Sequence, residues 1–346
     1  MHPILMLMST LHERIKGESV DMSIPILITG AAGFIGFHTA LKLLENGHDV
    51  VGIDNLNDYY DVALKNARLD ILRKHEGFHF EKLDIADLPA LQNLWHAQGP
   101  FTKVVHLAAQ AGVRYSIENP HAYVSSNLVG HLNILEMCRS TDGFVHLVYA
   151  SSSSVYGGNT QLPYAVSQAV DRPVSLYAAT KKSDELMSYS YAHLYGIAQT
   201  GFRFFTVYGP WGRPDMAYFL FARAITDGKP VKIFNHGDMK RDFTYIDDVV
   251  YGLLQGLDTP PTGSAPHRIL NLGNHKSEKL LDFIAVIEKE LGQDAEKELL
   301  PMQAGDVKET YADITETQNI LGYAPQTSIQ DGLRKFVQWF KDYYRV

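Results

Sequence analysis

Ile26-Leu27-Ile28-Thr29-Gly30-Ala31-Ala32-Gly33-Phe34-Ile35-Gly36 is the stretch that decides the fold. A short run suited to a buried strand leads into three glycines at every third position, and a helical pattern follows. Glycines at that junction bring backbone N–H groups and a helix N-terminus against a pyrophosphate, with no Cβ in the way. An acid, Asp54, closes the next strand-like segment, placed to accept hydrogen bonds from an adenosine ribose and to repel a 2′-phosphate. The stretch therefore predicts a dinucleotide site that takes NAD rather than NADP.

The cadence of the first strand recurs at Asp49–Ile53, Phe78–Leu83, Lys103–Leu107, Val145–Tyr149 and Thr200–Phe205, with helical stretches between. Short buried strands alternating with helices predict an α/β fold of Rossmann type, a doubly wound parallel sheet with its ligand at the carboxyl ends of the strands. After Phe205 the pattern loosens. Arg268–Leu272 reads as a late strand returning to the sheet, and Leu280–Leu291 and Ser328–Tyr344 as amphipathic helices. The expected organisation is a loose extension over 1–23, a dinucleotide-binding domain over 24–205 with return segments at about 242–273, and a smaller, discontinuous substrate-binding region over 206–241 and 274–346.

With 346 residues, 45% of them hydrophobic and 20% charged, the chain can bury a large core and is not disordered. No apolar run is long enough to cross a bilayer, and the short patch Ile4–Met8 has neither the basic flank nor the cleavage site of a signal peptide. Net charge is −8 with no basic stretch, which argues against nucleic acid or a membrane surface as the partner. Cys138 is the single cysteine, so no intrachain disulfide can form and a reducing, cytoplasmic setting is expected.

Nineteen tyrosines are present, and only Tyr177 has a lysine four residues on, Lys181. On a helix that spacing stacks both side chains on one face. A neighbouring ammonium and a cationic nicotinamide both favour the phenolate, which makes Tyr177 a candidate base with Lys181 as its activator. Upstream, Ser151-Ser152-Ser153-Ser154-Val155-Tyr156-Gly157 follows a strand and can supply a hydroxyl that shares the substrate oxygen. A chance Tyr–Lys pair beside a serine-rich turn is the bland alternative, and the glycine motif weighs against it.

These residues resemble the extended short-chain dehydrogenase/reductases that act on nucleotide sugars, over the chain from Ile26 onward. Two long strings, Asp54-Asn55-Leu56-Asn57-Asp58-Tyr59-Tyr60-Asp61 and Phe204-Phe205-Thr206-Val207-Tyr208-Gly209-Pro210-Trp211-Gly212-Arg213-Pro214-Asp215-Met216-Ala217, are most similar to the UDP-glucuronate 4-epimerases of that family. The resemblance implies NAD as cofactor, a UDP-sugar as substrate, C4 epimerisation through a 4-keto intermediate, and a homodimer. The dimer would form through helices around Asn119–Met137 and Tyr177–Tyr195.

The resemblance also implies roles, residue by residue. Ser152 falls at the catalytic hydroxyl position beside Tyr177 and Lys181. Gly30, Gly33, Phe34, Ile35, Gly36, Asp54, Asn55, Asp84, Ile85, Ala108, Ala109 and Asn127 fall at cofactor positions, joined there by Tyr177 and Lys181. Ser153, Ser154 and Thr206 fall beside the sugar carboxylate, Arg213 and Arg241 on the diphosphate side, Lys232 and Phe234 beside the uracil, and Asp306 near the uridine ribose. Gln303 stands where many relatives carry arginine, a departure that bears on the ribose contact.

Chemistry narrows the reaction further. Dehydratases of this kind need a carboxylate pair in the serine loop, and related decarboxylases carry a glutamate just before Val-Tyr-Gly. Ser153 and Ser154 occupy those positions and cannot act as acid or base near neutral pH. The decarboxylase, a 4-epimerase for neutral UDP-sugars, a net NAD(H)-dependent sugar oxidoreductase and a non-catalytic NAD-binding scaffold remain as alternatives. No metal site is expected. His75-Glu76-Gly77-Phe78-His79 matches a zinc-protease pattern, but it contains a glycine and runs into a strand, where histidines four apart lie roughly 13 Å from each other.

Overall fold

The computed structural model describes residues 24–302 and 307–346. β1 (Ile26–Thr29) is buried along its length and enters α1 (Phe34–Glu45) through the glycine loop. β2 (Val50–Asp54), α2 (Val62–Leu72), β3 (Phe78–Lys82), α3 (Leu88–Gln98) and β4 (Lys103–His106) continue the alternation. A π-helical turn, Val124–Val129, leads into α4 (Gly130–Arg139), then come β5 (His146–Ser152), α5 (Leu176–Tyr195) and β6 (Gln199–Phe204). Beyond these lie β7 (Thr206–Tyr208), α6 (Ala217–Thr226), β8 (Val231–Ile233), β9 (Lys240–Arg241), β10 (Phe243–Tyr245) and α7 (Ile246–Leu257). The chain closes with β11 (His267–Leu272), β12 (Glu278–Lys279), α8 (Leu280–Leu291), β13 (Lys297–Leu299), α9 (Thr315–Leu321) and α10 (Ile329–Tyr344).

Seven strands form one sheet in the order β11-β6-β5-β4-β1-β2-β3, every pair parallel. The order reverses between β1 and β4, so the helices that follow these two strands leave to opposite faces and a crevice opens at their carboxyl ends. Three two-stranded ladders, β7 with β10, β9 with β12 and β8 with β13, lie outside that sheet. Among the described residues no helix is long and apolar enough to cross a membrane.

One strand runs further than its apolar pattern suggests. β5 extends past Tyr149 to Ser152 because Ala150, Ser151 and Ser152 pair with Phe202, Arg203 and Phe204 of β6. Serine is a poor strand signal, yet Ser151 is buried there with its hydroxyl donating to Glu185 Oε1 at 2.7 Å. A buried hydroxyl with a partner costs little, so ladder pairing prevails over propensity. The extension carries Ser152 to the sheet's carboxyl edge. α10 buries Leu333, Phe336, Val337 and Phe340 on one face, as their helical spacing requires, and Ser328 caps it by accepting from Asp331 N at 3.1 Å.

Candidate active site

A cleft of about 460 Å³ opens over the crevice between β1 and β4. Its floor is the glycine cradle. Gly30 has φ +74°, and a Cβ on it would meet Ala108 N at 2.8 Å; a Cβ on Gly36 would stand 2.0 Å from Gly30 O. The loop is thus closed on its own backbone, and only hydrogen fits at these positions. Asp54 lies beside it, buried, accepting from Ala32 N at 3.2 Å and Leu56 N at 2.8 Å. Cradle and carboxylate are thereby one rigid unit with the shape and donors that a dinucleotide requires.

Thr29 sets the opposite wall. Its hydroxyl oxygen accepts from Leu107 N at 3.1 Å and Ala108 N at 3.0 Å. Its hydrogen therefore goes to His106 Nδ1, 2.7 Å away, and burial pushes that imidazole down to about 3, keeping it a neutral acceptor.

Tyr177 enters the cleft from the first turn of α5, which Ser175 caps by accepting from Ala178 N at 3.1 Å. The edge of Tyr123 packs against it, ring centroids 6.1 Å apart. Lys181 lies one turn on, buried, donating to Ala150 O at 2.9 Å and to Asp184 Oδ2 at 3.1 Å. Burial raises the Asp184 carboxyl to about 7 against the pull of this ammonium. Ser152 Oγ accepts from the Ser154 amide at 3.2 Å and the Ser154 hydroxyl at 2.9 Å. With its acceptor side occupied, its own hydrogen is left for an oxygen in the cleft.

The cleft gathers most of the residues the sequence singles out: the three glycines, Phe34, Ile35, Asp54, Asn55, Asp84, Ile85, Ala108, Ala109, Ser152, Ser153, Ser154, Tyr177, Lys181, Thr206, Arg213 and Arg241. Asn127 stands behind the wall instead. Its Oδ1 accepts from Gln110 N at 2.8 Å, and its Nδ2 donates to Gln110 O at 3.1 Å and to Thr180 Oγ1 at 2.9 Å, joining that wall to α5. Lys232 and Phe234 also lie outside the lining; Lys232 is exposed on β8, and the Arg114 guanidinium covers the Phe234 ring at 5.3 Å. Asp306 and Gln303 fall outside the described residues. The zinc-like stretch is turn and strand, with His79 Nε2 against Glu81 Oε1 at 3.0 Å.

Several cleft residues escape sequence reading. Lys65 lines the cleft with its ammonium 4.0 Å from Asp54 Oδ1. Tyr59 Oη donates to Asp215 Oδ2 at 3.1 Å, and Asp215 holds Arg213 through Nε at 3.0 Å and Nη2 at 2.5 Å. The two long strings quoted above supply Tyr59, Arg213 and Asp215, which meet in space, whereas Lys65 lies four residues past the end of the first string.

A doubly wound sheet whose switch point carries a glycine cradle, with a Tyr–Lys helix across the crevice, defines a nicotinamide-dinucleotide enzyme of the short-chain dehydrogenase type. The chain belongs to the NAD dependent epimerase/dehydratase family, whose profile matches residues 26–273. It is 49% identical to UDP-glucuronate 4-epimerase 4 of Arabidopsis thaliana, covering 94% of this chain and 77% of that protein. A probable UDP-glucuronate 4-epimerase of Rhizobium meliloti is 46% identical, covering 92% of this chain and 97% of the relative. A crystal structure of UDP-glucuronic acid 4-epimerase from Bacillus cereus, in complex with UDP-glucuronic acid and NAD, superposes with TM-score 0.85 at 35% identity, covering 93% of this chain and all of that one.

Asp54→Ala is expected to weaken NAD binding and to relax the rejection of NADP. The change removes the carboxylate that the sequence assigns to the ribose, and it leaves the Lys65 ammonium, 4.0 Å from Asp54 Oδ1, without that countercharge and free to favour a 2′-phosphate. One lost charge-assisted hydrogen bond of about 1.5–3 kcal/mol predicts at least a tenfold rise in the NAD dissociation constant. Titration with both cofactors measures this, and an unchanged preference would show that the ribose is held elsewhere.

Proposed function

We propose that this chain interconverts UDP-glucuronate and UDP-galacturonate by NAD-dependent epimerisation at C4. One observation carries the choice of reaction: among the described residues, the carboxylates lining the cleft are Asp54 and Asp84, both on the cofactor side, and the serine loop offers hydroxyls alone. Elimination of water has no acid–base pair there.

The glycine cradle, Asp54 and Lys181 are suited to hold NAD, which when bound supplies a hydride acceptor that returns the same hydride within each turnover. Tyr177 takes the 4-OH proton and later gives it back. Ser152 donates to the same oxygen. Lys181, fixed by Ala150 O and Asp184, keeps a positive charge near the phenol. Arg213 and Arg241 reach the diphosphate side. Incubation with UDP-glucuronate followed by separation of products tests the reading: UDP-galacturonate with no net change in nicotinamide absorbance supports it, whereas UDP-xylose with carbon dioxide, or net NADH, refutes it.

Oxidation at C4 makes the C5 carboxylate β to a ketone, and such an acid loses carbon dioxide when its bond aligns with the carbonyl π system. Ser153, Ser154 and Thr206 supply hydroxyls that can hold it out of alignment. Each such bond contributes about 1.5–3 kcal/mol, and about 1.4 kcal/mol already shifts rotamer populations tenfold. Thr206→Ala and Ser154→Ala are expected to slow epimerisation and raise the fraction of turnovers ending in UDP-4-keto-pentose. Thr206→Ala is the cleaner probe, because Ser154 also orients Ser152. Slower turnover in both without extra carbon dioxide would leave the hydroxyls a purely structural role.

The proposed assembly is a homodimer through α4 and α5. Leu132 on α4 and Leu186, Tyr189, Leu194 and Tyr195 on α5 are exposed, a grouping more fitting to an interface than to open solvent. Light scattering at micromolar concentration is expected to give twice the chain mass, and a monomer would refute it. A cytoplasmic location is in keeping with the lone, buried thiol of Cys138.

A further inference from the structure

Arg68 is wholly buried, and a buried guanidinium ordinarily faces a carboxylate. Arg68 instead spends its five N–H donors on neutral oxygens. Nε donates to Trp211 O at 3.1 Å, Nη2 to the same oxygen at 2.5 Å and to Gly212 O at 3.2 Å. Nη1 donates to Ala32 O at 2.7 Å and to Tyr60 Oη at 2.8 Å. One side chain of α2 therefore grips both the glycine cradle and the loop that carries Arg213.

That loop needs holding. Trp211 has φ +62°, a left-handed conformation that is costly for a bulky residue and persists only where its surroundings enforce it. Its ring packs against Phe37 of α1, and against Trp339 and Tyr343 of α10, at 5.7, 5.2 and 5.2 Å between centroids. His38 of α1 adds a second tie to Pro210 O at 3.0 Å; burial lowers that imidazole to about 4, so it is neutral and Nε2 is the donor. Both arms of the cleft thus converge on one guanidinium: Ala32 lies in the cradle, and Arg213 follows Gly212.

We propose that Arg68 is a positioning residue that couples the cofactor's pyrophosphate cradle to the arm that receives the diphosphate of the nucleotide sugar, so that filling either site tightens the other. The inference rests on the nucleotide-sugar reading given above. Because the cradle moves as one rigid unit, any shift it makes as its ligand seats carries the Ala32 carbonyl with it, and the rigid fork of the guanidinium passes that shift to Trp211 and hence to the aim of Arg213. By linkage the reverse effect has the same size.

Exchange of bound NAD for labelled NAD, measured on the holoenzyme with and without saturating UDP, tests the proposal; calorimetry reads UDP binding independently. In the wild type, bound UDP is expected to slow exchange at least about tenfold, an ordinary coupling magnitude. Arg68→Lys keeps the charge, but its single nitrogen cannot span both loops, and it is expected to bring the slowing below threefold while UDP still binds. Tyr60→Phe, which removes one of the four acceptor oxygens and leaves the grip otherwise intact, is expected to fall between the two and serves if Arg68→Lys does not fold. Wild-type exchange that ignores bound UDP, or a folded Arg68→Lys protein with the full slowing, overturns the coupling. Failure of UDP to bind the wild type overturns both the coupling and the nucleotide-sugar reading.

Discussion

Tyr177→Phe is expected to lower kcat on UDP-glucuronate by at least about 10²-fold, the lower range for loss of a general base, with NAD still bound. The ring remains, so its edge contact with Tyr123 and the first turn of α5 under its Ser175 cap are undisturbed. What disappears is the one hydroxyl on this helix turn able to take the 4-OH proton. Lys181 cannot substitute, because its ammonium is tied to Ala150 O and Asp184 one turn further along. Ser152 cannot either. Its oxygen already accepts from Ser154, and an alcohol is a far weaker base than a phenolate. Product formation under saturating substrate, together with the nicotinamide content of the purified variant, gives the two readings needed. Near-normal turnover would remove Tyr177 from the role of base, whereas loss of NAD along with activity would mean that the phenol holds cofactor rather than proton.

Much of this site was legible before any coordinates, and the reason is local. A glycine cradle, an acid at the end of the second strand and a Tyr–Lys pair one turn apart each depend on residues close together in sequence, so their spacing carries their geometry. Helix limits set by amphipathic spacing and caps, such as Leu280–Leu291, were legible for the same cause. The rest depends on contacts between distant segments. Nothing around Ser151 marks it as strand until Arg203 pairs with it and Glu185 takes its hydroxyl. Arg68 reads as one more basic residue on a helix until the chain 143 residues later returns to place Trp211 O against it. Lys232 and Phe234, assigned to the uracil by likeness alone with no local spacing to place them, lie on β8 and the turn after it, outside the lining of the cleft.

Gly36→Ala is expected to cost at least about 10²-fold in NAD affinity while the sheet stays folded, since two misplaced charge-assisted hydrogen bonds account for about 3 kcal/mol or more. The added methyl would stand 2.0 Å from Gly30 O, 2.8 Å from Gly30 C and 3.2 Å from Ala31 Cα. All three are backbone atoms of the cradle, so no side chain can swing aside to make room. The Gly30 turn must open, and the backbone N–H groups of the cradle move with it. The same crowding destabilises the fold by only about 1–3 kcal/mol, the usual size of an overpacking penalty. Stability and binding must therefore be read apart, and Gly47→Ala separates them. Gly47 has φ +84°, so a side chain there is strained, yet nothing lies within 4 Å of its Cβ position and it follows α1 at the end away from the cradle. Gly47→Ala is expected to lower the melting temperature and leave NAD affinity unchanged, whereas Gly36→Ala loses affinity out of proportion to its melting temperature. Equal loss of affinity in both would mean that the cradle fails through general destabilisation, and the close approach of Gly36 to Gly30 would then have no separate part in binding.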